Sequence, residues 1–78
     1  MSIPLHTLPC GRSATVLHIS DGCRIRRRLQ DIGLIEGTPV RALFAAPSGD
    51  PVAYAIRGAV IALRRGDAAQ VEVINETP

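Results

Sequence analysis

Seventy-eight residues give 8.3 kDa and room for one core, because a chain of this length buries only about 60% of the surface it exposes when unfolded. Ten of the hydrophobic residues are Ala, and with one Phe, one Tyr and no Trp the platforms for stacking bases are nearly absent, which disfavours single-stranded nucleic acid as a ligand. Nine Arg oppose seven Asp plus Glu, a net charge of +2 that implies solubility only, and the lack of any Lys excludes P-loop NTPase and Schiff-base chemistry.

The N-terminal residues lack a basic start followed by an apolar run, and charge-free stretches such as 42–49 fall short of the roughly 18 residues that span a bilayer. A cytoplasmic chain with no membrane insertion is expected. Cys10 and Cys23, in a chain with no export signal, are expected as reduced packing residues rather than a disulfide.

In chain order, residues 13–20 alternate, with Thr15, Leu17 and Ile19 on one face and Ala14, Val16 and His18 on the other, which predicts a strand accessible on two sides. Ser20 or Asp21 offers an N-cap for a helix over 22–32, where Ile25, Leu29 and Ile32 fall at i, i+4 and i+7, a narrow stripe suited to closing one end of a barrel. Gly33 stands where a left-handed C-cap is wanted, with Leu34 as the apolar residue that packs back under it. The turn Glu36-Gly37 leads into a strand over 40–46. Pro47-Ser48-Gly49-Asp50-Pro51 reads as a hairpin loop into a strand over 52–57 that sets Val52, Tyr54 and Ile56 on one face. Strands over 60–63 and 71–74 complete the set, separated by one helical or 3₁₀ turn within 64–70. Five strands with Gly/Pro turns, one short helix after the first and a helical turn before the last predict a mainly β, partly open barrel. It is expected as a single domain over 1–78.

Arg24, Arg26, Arg27 and Arg28 are the densest charge cluster. On a helical wheel Arg24, Arg27, Arg28 and Asp31 share a flank while Arg26 points away, and an Arg27 to Asp31 i, i+4 pair offsets part of the charge. The cluster therefore reads as a solvated face or a partner-protein surface before a nucleic-acid contact. His6, Cys10, His18 and Cys23 are weak metal candidates, since their spacing matches no compact CxxC or HxxxH pattern. Packing cysteines and surface histidines are expected, with any Zn²⁺ or Fe²⁺ adventitious or interfacial and no cofactor required. Ser20, Asp21, His18 and Cys23 lie close in sequence, but no nucleophile elbow exists, so capping is expected of Ser20 and Asp21 and catalysis of no residue.

The run Arg26-Arg27-Arg28-Leu29-Gln30-Asp31-Ile32-Gly33-Leu34-Ile35-Glu36-Gly37-Thr38, then Ala46-Pro47-Ser48-Gly49-Asp50-Pro51-Val52, Arg57-Gly58, Ile61-Ala62-Leu63-Arg64 and Val71-Glu72-Val73 resembles the FeoA family. The resemblance implies an SH3-like barrel and a non-enzymatic, cytoplasmic accessory of FeoB, the GTP-driven ferrous-iron transporter. The same domain also occurs at the C-terminus of iron- and manganese-responsive repressors. A transcription-linked or metal-sensing module is thus the alternative, set behind the free-standing role because no winged helix precedes the domain here. Ser48 stands where the family usually has an apolar residue, which makes that loop more polar. An interface with FeoB is expected at the 33–37 corner and the 47–51 loop. Its expected contacts are Leu34, Ile35, Arg24, Arg27, Arg28, Ser48, Gly49 and Asp50, with Gly33, Gly37, Pro47, Pro51 and Gly58 as turn residues. Ile35 and Phe44 are further apolar residues near turns, and Tyr54 is expected in the core.

Overall fold

The computed structural model describes residues 1–75, and the last three positions of the expected 1–78 domain lie outside them. Six strands, β1 (Ser2–Pro4), β2 (Ser13–Ile19), β3 (Pro39–Ala45), β4 (Val52–Ile56), β5 (Ala59–Leu63) and β6 (Val71–Asn75), form one antiparallel sheet ordered β1-β6-β2-β3-β4-β5. A 3₁₀ turn at Leu5–Thr7 follows β1, α1 (Arg26–Asp31) lies between β2 and β3, and α2 (Arg65–Ala68) lies between β5 and β6. The sheet wraps one core drawn from every strand but β1, together with Leu5, Leu8, Leu29, Leu34 and Ala68. The mainly β architecture is as expected, with one more strand: β1 pairs with β6 in the register Ile3 to Val73.

Two strand details depart from simple alternation. In β2 a bulge lies between Val16 and His18 in the pairing with β6, so Ile19 joins Ala14 and Val16 in the core instead of facing away from them. Leu17 and His18 are left exposed. In β3 a second irregularity between Ala42 and Phe44 turns Phe44 out beside Ala53 while Val40 and Ala42 stay inside. In β4, Tyr54 and Ile56 are buried and Val52 packs against the core, as the alternation predicts.

The helix is shorter than its apolar stripe. Two turns, closed by Cys23 N–H to the Ser20 carbonyl and Arg26 N–H to the Cys23 carbonyl, carry the chain from β2 to Arg26. Ser20 is not the N-cap: its Oγ accepts the Gly22 N–H at 3.2 Å, closing a local turn, while Ile25 occupies the cap position without a side-chain bond. The expected Arg27 to Asp31 pair does not form either. Arg26 instead pairs with Asp21 at 3.2 Å and Arg24 with Asp67 at 3.3 Å. The stripe itself behaves as read, with Leu29 buried and Ile25 and Ile32 packed on the core.

At the helix end, Gly33 (φ +95°) donates to the Gln30 carbonyl and Leu34 N–H donates to the Leu29 carbonyl at 2.8 Å, which is the Schellman pairing. That geometry corrects the expectation that Leu34 faces a partner. The residue after such a cap packs against the last helical turn, and Leu34 is 0% exposed.

Candidate docking groove

The two edges of the sheet differ in chemistry. β1 is three residues long and ends in Pro4, two features that blunt an edge. β5, at the other edge, is Ala59-Val60-Ile61-Ala62-Leu63, with neither Pro nor charge. Its hairpin with β4 turns at Arg57 (φ +48°) and Gly58 (φ +80°), both left-handed, and pairs Ile56 with Ala59.

A groove of about 170 Å³ runs between β5 and α1. Ile25, Leu29 and Ile32 form the helix side, Ile61, Ala62 and Leu63 the strand side, and Arg24, Arg28, Arg64 and Asp67 also line it. Asp67, whose side chain is 12% exposed, is held by Arg24, and among the described residues Arg28 and Arg64 have no ion pair. The groove is thus apolar with surplus positive charge. The outer face beside it is apolar apart from Arg41. Phe44, Ala53 and Ala62 align across β3, β4 and β5, and so do Arg41, Ala55 and Val60. Phe44 is 62% and Val60 63% exposed.

The structure divides the expected contact residues. Arg24 and Arg28 line the groove, whereas Arg27 is exposed and outside its lining. Ile35, 46% exposed, lines a separate crevice of about 370 Å³ with Ile19, Arg26, Gln30 and Glu36. Ser48 and Gly49 stand exposed at the loop tip, where Gly49 N–H bonds the Ala46 carbonyl and Ser48 Oγ the Asp50 carbonyl. Asp50, half-buried, is engaged within the fold: its Oδ1 accepts the Arg65 N–H at 2.9 Å, capping the start of α2 and pinning the 47–51 loop. Gly37 also takes a positive φ, and Pro47 and Pro51 flank the loop. Tyr54 is buried, and burial, with repulsion from Cys10 and Asp50, pushes its hydroxyl up to about 12. Phe44, an apolar residue near a turn in the sequence, is exposed as that position suggests, whereas the β5 wall and Val60 carry no sequence signal of their own as site residues. The available signal is the uncharged 59–63 run bracketed by Arg57 and Arg64.

The four metal candidates do not converge. No group of three or more His, Cys, Asp or Glu that would hold an ion exists among the described residues. Cys10 is exposed, Cys23 buried, and both are free thiols. His18 Nδ1 lies 3.8 Å from Glu36 Oε2, and the buried His6 Nδ1 has no hydrogen-bond partner. No helix among the described residues is long and apolar enough to cross a membrane.

Three comparisons bear on these features. Residues 3–75 match the model of the FeoA domain. A curated Fe(2+) transport protein A/Fe(2+) transporter FeoB fusion protein of Porphyromonas gingivalis is 35% identical over 69 residues, or 88% of this chain. The chain spans only 8% of that relative's length. An FeoA-like protein from Clostridium acetobutylicum superposes with TM-score 0.90 at 28% identity, covering 99% of this chain and 90% of the other. FeoA of Stenotrophomonas maltophilia, solved as a zinc complex and described as a prokaryotic SH3 domain protein, gives TM-score 0.78 at 31% identity over 94% and 88% of the two chains. With the family model covering nearly the whole sheet and both helices, the chain is an SH3-like β-protein that belongs to the FeoA family.

Proposed function

We propose that this chain is a cytoplasmic accessory of bacterial ferrous-iron uptake that binds the cytoplasmic part of an FeoB-type transporter and modulates it by contact rather than by chemistry. The observation that carries this reading is the Porphyromonas gingivalis relative, in which the matching segment and an Fe(2+) transporter form one polypeptide. Tethering two modules holds each at high effective concentration near the other, an arrangement useful when they work in contact. The apolar groove between α1 and β5 supplies a surface suited to such contact. Iron in this reading is the transporter's cargo. A zinc or iron ion on this chain would be adventitious or shared with a partner, since fewer than three converging ligands hold an ion poorly.

Titration calorimetry of the chain against the purified cytoplasmic part of FeoB, with and without guanine nucleotide, tests the reading. Saturable heat in at least one nucleotide state is expected. Absence of binding in every state overturns direct association.

A further inference from the structure

We infer that β5 and the groove beside it take up an extended segment with alternating apolar residues and acidic flanks, which adds to the sheet as a seventh strand. The inference deepens the proposed association, and rests on it, by stating which chemistry of the partner this chain recognises.

Three observations converge. Among the described residues β5 pairs with β4 alone, so its outer edge presents backbone donors and acceptors with no strand partner there, and no charge or Pro within β5 blocks a newcomer. Five residues at about 3.4 Å each make a template some 17 Å long, enough for a short extended peptide. The groove lies beside the Ile61–Leu63 part of that strand, with Ile25, Leu29 and Ile32 on its helix side, and gives inward-facing apolar side chains of the added strand a place to bury. The charge is asymmetric: among the described residues Arg28 and Arg64 line the groove with no ion pair, Arg57 precedes the strand and Arg65 follows it, while the lining carboxylate Asp67 is engaged by Arg24.

That charge selects the occupant. A second copy pairing antiparallel over 59–63 would bring the Arg57 end of each strand up to the Arg64-Arg65 end of the other, a like-charge approach just beyond both ends of the new ladder. Acidic residues flanking an apolar stretch meet those arginines instead, and electrostatic complementarity of this kind sets specificity and association rate more than affinity. The mode is strand addition to an exposed edge, with affinity from main-chain bonds and selectivity from side chains.

The test uses a capped synthetic peptide of four alternating Val and Thr flanked by Asp-Glu pairs, titrated into the isotope-labelled chain. A Lys-flanked version and a version N-methylated at alternate residues serve as controls. Amide shifts confined to 59–64 and 24–32 are expected, with both controls weaker by about tenfold or more. Arg28→Glu with Arg64→Glu, first shown folded, should weaken the acidic peptide by about tenfold, as two partly exposed charge contacts imply. Ala62→Lys, which places a charge on the edge strand, is a second variant expected to weaken it. Equal binding of the N-methylated or Lys-flanked peptide, shifts mapping elsewhere, or no binding overturns the inference. Transporter binding undiminished in the double variant overturns the groove while the association stands, and peptide binding without transporter binding supports the groove and overturns the association.

Discussion

The Arg57 guanidinium donates from Nε to the Gly33 carbonyl oxygen across 3.1 Å, tying the β4–β5 turn to the end of α1. The same oxygen accepts the Thr38 hydroxyl at 3.0 Å, and Thr38 Oγ1 in turn accepts the Ile35 N–H at 3.1 Å. One carbonyl thereby joins the helix cap, the entry to β3 and the hairpin that presents the edge strand. A Cβ on Gly33 would come within 2.5 Å of Arg57 Cδ, so this cap has no room for a side chain while Arg57 lies over it.

Gly33→Ala is expected to lower stability by about 1–3 kcal/mol, the cost of forcing a side chain into the left-handed region. Arg57→Ala, which loses the Gly33 bond, should cost about 1 kcal/mol. Urea unfolding checks both, and Gly33→Ala costing less than about 0.5 kcal/mol would show that the cap conformation is dispensable.

Leu34→Ala and Leu29→Ala should each cost about 2–5 kcal/mol, the range for truncating a leucine in a packed core. Leu34→Asp should prevent folding, because it places an unpaired carboxylate beside the helix cap at a fully buried position. Circular dichroism and thermal melts decide it. A folded Leu34→Asp with near-wild-type stability would return Leu34 to the surface role its sequence position suggested.

Alkaline pH tests the Tyr54 environment. Burial raises its hydroxyl from the ordinary 10 to about 12 in the folded chain, so the unfolded state loses its proton first. The Tyr54 contribution is fully present below about pH 10 and falls between about 10 and 12, by up to about 1.4 kcal/mol per pH unit. Urea midpoints measured across that window should fall more steeply for wild type than for Tyr54→Phe. Parallel slopes would place the hydroxyl in a solvated setting.

The barrel was legible in the sequence because its signals are local. The alternation of 52–56, the glycine cap at Gly33 and the Pro/Gly loop at 47–51 each name a backbone conformation by residue type. The missing strand, β1, has three residues and a proline, and only its pairing with β6 gives it identity. The bulge in β2 is likewise set by the neighbouring strand, so alternation alone puts Ile19 on the wrong face. Charge density in the sequence singles out Arg24 and Arg28, and both line the groove. The sequence offers Leu34 two incompatible roles, under the cap and at the interface, and the cap geometry chooses the first. The β5 wall is not legible in the sequence because sheet order decides which strand lies at the edge, and sheet order is not written in any one segment.

Hydrogen exchange in β5 tests the central claim most directly. With the cytoplasmic part of FeoB bound, those amides of Ala59–Leu63 that point away from β4 should gain protection, while β1 at the opposite edge stays unchanged. Binding that leaves the β5 amides exchanging as in the free chain would contradict strand addition at this edge and move the interface to another surface.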